Sequence, residues 1–127
     1  MKKIILVGGS TANLYAAKEF TNLNFNCVVY ERSGSLQNDS VRRIPLELLN
    51  KLGFTTSKNV DNRYIKLTEL KNKLSKGIDI RFNSEVKLNE DETKIIIDGK
   101  EIYFDYAIII TGHKKKESKC PNIYIYN

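Results

Sequence analysis

Directly after the apolar run Ile4-Ile5-Leu6-Val7 comes a stretch of small residues, Gly8-Gly9-Ser10-Thr11-Ala12-Asn13, which leads into a segment of helical periodicity. Small residues between a buried strand and a helix suit the gripping of a diphosphate. A glycine at position 8 permits the tight turn, and Ser10 is small enough for the backbone to approach a pyrophosphate. The unpaired amides at the helix start, with the positive end of its dipole, face the phosphate oxygens. Glu31 follows 23 residues after Gly8, at the end of the next apolar run, where a carboxylate can accept hydrogen bonds from ribose hydroxyls. Asn13 is the misfit, because its side chain stands where close packing of helix on strand favours an empty place.

The elements that must position these groups are legible in the periodicity. Ile4 to Val7 and Cys27-Val28-Val29-Tyr30 are short, continuously apolar and rich in branched side chains, as strands buried on both faces of a parallel sheet are. Between them Leu14, Ala17, Phe20 and Leu23 recur at helical spacing over 12–23, with Ser10 and Thr11 available to cap the helix start. Strand, tight turn, helix and strand make a βαβ unit. Residues 33–40 have loop composition and are expected to be mobile unless a ligand orders them. Pro45 suits the first turn of a helix carrying Leu46, Leu49 and Leu52 up to Gly53. A further helix is expected over 67–74, ended by Gly77, and Ile78, Ile80 and Phe82 alternate as a strand. Val86 and Leu88, then 95–97, then Ile102 and Phe104 form an antiparallel meander over about 85–104, with Asp98-Gly99 as a hairpin turn. Residues 106–110 and 123–126 are the last two strands. The pattern defines an α/β fold, a Rossmann-type parallel sheet with helices and a small antiparallel β-meander, expected to form one domain over 1–127.

Four stretches also carry a family resemblance. Ile4 through Leu14 resembles the opening of FAD-dependent oxidoreductases, above all the aromatic-hydroxylase-type flavin monooxygenases, in which a Gly-Gly-Ser-x-Ala-Gly-Leu variant occurs. Val29-Tyr30-Glu31-Arg32-Ser33 is similar to that family's second strand and ribose-binding acid, and residues 45–54 to the helix after its flavin loop. Residues 105–112, ending in Thr111-Gly112, resemble the strand that closes in Ala-Thr-Gly in such flavoproteins. The resemblance implies FAD as cofactor, with NAD(P) or no cofactor as the alternatives. Gly8, Gly9, Ser10, Thr11, Ala12 and Asn13 would then face the pyrophosphate, Glu31 the ribose, Arg32 the adenosine edge and Val86 the adenine through its backbone. Thr111 and Gly112 complete the implied cofactor-binding set. Two departures stand out: Asn13 replaces the third glycine, and the sequence reaches Asn127 where the family's Gly-Asp ribityl motif would follow. A chain without a substrate domain is therefore expected, and no second glycine fingerprint for a nicotinamide cofactor appears in the sequence. The implied protein is an FAD-binding oxidoreductase-like minidomain whose flavin site a protein partner or a homodimer completes. An adenine-nucleotide-binding regulator and a degenerate interaction protein without cofactor remain open alternatives.

Composition narrows the classes further. With 127 residues, 41% hydrophobic and 28% charged, the chain has ordinary globular proportions, and no apolar stretch approaches a membrane span. The amino-terminal apolar run is too short for a signal-peptide core, and Cys27 and Cys120 have neither metal-ligand nor redox spacing, so a cytoplasmic protein is expected. The net charge of +6 comes from lysines scattered along the chain, and the cluster Lys114-Lys115-Lys116 with Lys119 has no interleaved aromatics, which argues against nucleic acid. His113, the only histidine, reads as a surface-loop residue, and Glu90-Asp91-Glu92 as a solvated hairpin tip rather than a metal site. Tyr64, Tyr103 and Tyr106 are expected to pack the meander against the sheet.

Overall fold

The computed structural model describes residues 2–53, 64–110 and 120–126, with Leu46 and Tyr126 described by their backbone alone. Its centre is a five-stranded parallel sheet built from β1 (Lys3–Val7), β2 (Asn26–Tyr30), β5 (Asp79–Arg81), β9 (Tyr106–Ile110) and β10 (Ile123–Tyr126). The spatial order is β10-β9-β1-β2-β5, all neighbours parallel. Counted along these five strands, that is the 3-2-1-4-5 order of the Rossmann fold, whose ligand crevice opens where the order reverses, between β1 and β9. The glycine turn therefore leaves β1 at the carboxyl end of this switch point.

The burial of β1 on both faces explains its unbroken apolar run. Ile4 and Leu6 point to the side where Ala17 and Phe20 of α1 (Thr11–Asn22) pack, together with Cys27 and Val29 of β2. Ile5 and Val7 point to the opposite side, where the meander of β6 (Val86–Leu88), β7 (Ile95–Ile97) and β8 (Lys100–Ile102) closes the core with Ile95 and Ile97. The β7–β8 hairpin turns on Asp98 and Gly99 at φ 52° and 76°, the two successive left-handed positions that an Asp-Gly pair supplies for a two-residue turn. Burial, with the nearby Asp79 carboxylate adding to it, pushes the Cys27 thiol up to about 11, so it packs as an apolar group rather than reacting as a thiolate.

A third cluster lies on the α1 side. Leu14 of α1 meets Leu70 and Leu74 of α3 (Leu67–Leu74), Leu49 of α2 (Leu46–Lys51) and Ile65 of β4 (Tyr64–Lys66). β4 pairs antiparallel with β3 (Val41–Arg43), a short ribbon that local periodicity does not announce.

Two expectations need correction. The stretch 33–40 is tied down within the protein itself. Leu36 is only 8% exposed and joins the Leu14 cluster, and Asn38 exchanges hydrogen bonds with Thr68 at the start of α3. One apolar residue in a polar run is enough to anchor it when a cleft accepts that side chain. The tyrosines also divide. Tyr64 and Tyr103 are 60% and 71% exposed, and the Tyr103 hydroxyl donates to Asp105 Oδ1 at 2.8 Å instead of entering a core. Tyr106 packs on the α1 side of the sheet, away from the meander. The meander is closed by isoleucines, whose branched side chains fill the inter-layer space without a hydroxyl to satisfy.

Candidate functional site

The turn after β1 is shaped by Gly8. Its φ of +103° is accessible to glycine and strained for other residues, and a Cβ there would stand 2.8 Å from the carbonyl oxygen of Ile110 at the end of β9. The Gly8 amide donates to the Tyr30 carbonyl at 2.8 Å, which joins the turn to the end of β2. Ser10 is the N-cap of α1, its hydroxyl accepting from the Asn13 amide at 3.2 Å and its carbonyl from the Leu14 amide at 2.9 Å. The first amides of a helix have no intrahelical acceptor, so those of Thr11 and Ala12 are the donors an anion would meet.

Glu31 sits one residue beyond β2, partly buried. Its Oε1 accepts from the Gly9 amide at 2.8 Å and its Oε2 from the Ser33 amide. Burial on its own would raise the carboxyl's pKa, but the Ser33 and Gly9 amides, with Lys71 nearby, outweigh it and hold the group below its ordinary 4.5. The sign of the pH dependence follows. A carboxyl depressed in the folded protein stabilises it fully above the ordinary value, and that contribution disappears as pH falls through the lower native one. The thermal stability advantage of the wild type over Glu31→Gln should therefore be present near neutrality and shrink steadily below about pH 4.5. Melting curves of both proteins over a pH series check this, and an advantage that grows with acidification would contradict it.

Beside this carboxylate lies a cavity of about 290 Å³ between the carboxyl ends of β1, β2 and β9 and the start of β6. Gly8, Glu31, Arg32, Val86, Tyr30, Ser84 and Glu85 are among its lining residues. Four of the sequence-derived candidates, Gly8, Glu31, Arg32 and Val86, are thus brought to one cleft. Gly9 lies beside it, covered by Leu36. Ser10 and Thr11 instead line a second cavity of about 470 Å³ on the α1 side, together with Arg42, Arg43 and Lys71. Ala12 continues the first turn of α1, and Asn13 is buried beneath the turn at 1% exposure. Thr111, Gly112, His113 and the lysine cluster lie outside the described residues.

The three cations of the second cavity are functional candidates that reading along the chain passed over. Arg42 and Arg43 stand in the unforeseen strand β3, and Lys71 is one of two lysines on α3 with no local mark of its own. The adjacent arginine pair after a polar loop was the available signal.

The strand order, with the glycine turn at the switch point and an acid closing β2, defines a Rossmann-type α/β fold. No family model and no curated protein matches the sequence. Among solved structures the chain is similar to CtdE in complex with FAD and a substrate, with TM-score 0.66 and 20% identity over 87% of this chain and 37% of that one. It is similar to 2-methyl-3-hydroxypyridine-5-carboxylic acid oxygenase, with TM-score 0.65 and 16% identity over 94% of this chain and 41% of that one. The Diels-Alderase PyrE3 shares the fold too, with TM-score 0.62 and 16% identity over 86% and 32% of the two chains. The chain spans about two fifths of the length of the first of the solved structures it matches. Likeness at this level of identity establishes the architecture.

Proposed function

We propose that the chain binds the adenosine diphosphate half of FAD at the turn after β1, as a dinucleotide-binding domain over 1–127 of a flavin-dependent oxidoreductase. The observation that carries this reading is the cavity beside Glu31. The Glu31 carboxylate, the close-approach Gly8 and Val86 line one space at the switch point. The residues fit that half of the cofactor. The Thr11 and Ala12 amides would take the diphosphate, Glu31 the ribose hydroxyls, and the β6 backbone at Val86 the adenine edge. Arg42, Arg43 and Lys71 supply positive charge in the cavity that Ser10 and Thr11 line at the start of α1. A bound flavin supplies the redox chemistry. The chain's own groups hold the dinucleotide, orient it and shield its phosphates. A protein partner or a second copy completing the flavin side belongs to the same proposal, as does a cytoplasmic setting, which accords with the two free cysteines. Among the described residues no helix is long and apolar enough to cross a membrane.

Absorbance spectra of the purified protein before and after added FAD, followed by titration with FAD, ADP and NAD, test this reading. Flavin bands that co-purify or appear at one equivalent, and competition by ADP, are expected. Failure of all three ligands to bind would remove the proposal, and equal affinity for ADP and FAD would confine it to the adenosine half. The cations give a finer test. Arg42→Gln with Arg43→Gln should lower ADP affinity by about two- to fivefold, since exposed ion pairs are individually weak, and leave binding of uncharged adenosine unchanged. An equal loss for both ligands would place the arginines elsewhere.

A further inference from the structure

Asn13 stands in the place of the third fingerprint glycine, and the structure shows what it does there. Its Nδ2 donates to the carbonyl of Val7 at 2.9 Å and to that of Gly8 at 2.8 Å. A primary amide has two N–H donors, and both are spent here, on the carbonyl of Val7 that ends β1 and on that of Gly8 that opens the turn. The orientation of the amide follows from chemistry, because turning it over would set Oδ1 against two carbonyl oxygens. Oδ1 is left without a partner in a residue that is only 1% exposed.

The second of these bonds has a counterpart. The peptide unit joining Gly8 to Gly9 has its carbonyl held by Asn13 at 2.8 Å, while its N–H is held by Glu31 Oε1, also at 2.8 Å. Both ends of one peptide plane are therefore fixed by side chains, one from α1 and one from the end of β2. Two successive glycines are the most permissive backbone a turn can have, and an unrestrained one would have to be ordered when the phosphate arrives. A glycine at position 13 offers no donor to prevent that.

We infer that Asn13 is a positioning residue that, with Glu31, clamps the Gly8–Gly9 peptide and so holds the diphosphate-binding turn in its working shape before any ligand binds. The functional side of this inference rests on the proposed dinucleotide site. The clamp itself does not need a ligand to exist.

Hydrogen exchange on the ligand-free protein tests the clamp directly, comparing the wild type with Asn13→Gly, the change that restores the fingerprint glycine. The variant should lose protection at the Gly9 amide by about tenfold or more, with β1 and β2 amides such as those of Leu6 and Val29 unchanged. It should also bind ADP at least about fivefold more weakly, despite its better match to the fingerprint. Unchanged protection at Gly9 with equal or tighter ADP binding would overturn the inference. Should the variant not fold, nuclear magnetic resonance of the wild type decides, because both Asn13 Nδ2 protons must exchange slowly if both carbonyls are held, and rapid exchange overturns it. A wild type that binds neither ADP nor FAD would defeat the functional reading while exchange at Gly9 still judges the clamp.

Discussion

Gly8→Ala should destabilise the protein by about 3 kcal/mol and abolish dinucleotide binding, whereas Gly9→Ala, one residue on, should be mild in both respects. At position 8 two costs coincide. A side chain would have to sit at φ +103°, and its Cβ would stand 2.8 Å from the Ile110 backbone oxygen, which cannot yield without moving β9 out of register with β1. At position 9 the nearest obstacle, at 2.7 Å, is the Cδ2 of Leu36, the far end of a flexible side chain, and the backbone there is not left-handed. Chemical denaturation of the two variants, with ADP titration of whatever remains folded, checks the contrast. Equal effects at the two positions would mean that the approach of β9 to the turn is not what demands a glycine.

Glu31→Ala should weaken ADP and FAD binding by about tenfold to a hundredfold, the range expected when a charged acceptor of hydrogen bonds is lost. The substitution acts twice. It removes the carboxylate that faces the cavity, and it strips the Gly9 and Ser33 amides of their acceptor, which frees the turn and the stretch carrying Leu36 together. Glu31→Gln separates the two, since its amide oxygen can still accept one of those backbone bonds. Calorimetric titration should rank the wild type above Glu31→Gln and Glu31→Ala last. If Glu31→Gln binds as tightly as the wild type, the negative charge contributes nothing to ribose recognition, and the acid serves only the turn.

How much of this could be read along the chain varies with how local the cause is. The helix over 67–74 forms with the expected bounds, because Leu70 and Leu74 share one face and Gly77 follows at φ +78°. The Asp98-Gly99 hairpin and the apolar run 106–110 were equally legible, since turn chemistry and two-sided burial are written in consecutive residues. The ribbon of β3 and β4 was not. Its strands have three residues each and pair Val41 with Lys66, so neither carries a periodicity of its own. Leu36 and Arg42 belong to the same class, because what they do depends on what folds beside them. The tyrosines misled for a related reason. An aromatic ring can be apolar filling or an exposed rim with its hydroxyl engaged, as at Tyr103, and residue type alone does not choose.

The sequence by itself determined the βαβ order, the turn made of small residues and the acid that follows it, because each depends on neighbours within a few residues or on a fixed run of elements. Only the tertiary structure decided that Gly8 must be bare to clear Ile110, that Glu31 and Asn13 hold opposite ends of one peptide, and that Arg42, Arg43 and Lys71 gather beside the start of α1. The physical reason is that periodicity and turn propensity are short-range properties of the chain. A clash, a clamp or a charged cleft exists only after strands distant in sequence have been brought side by side.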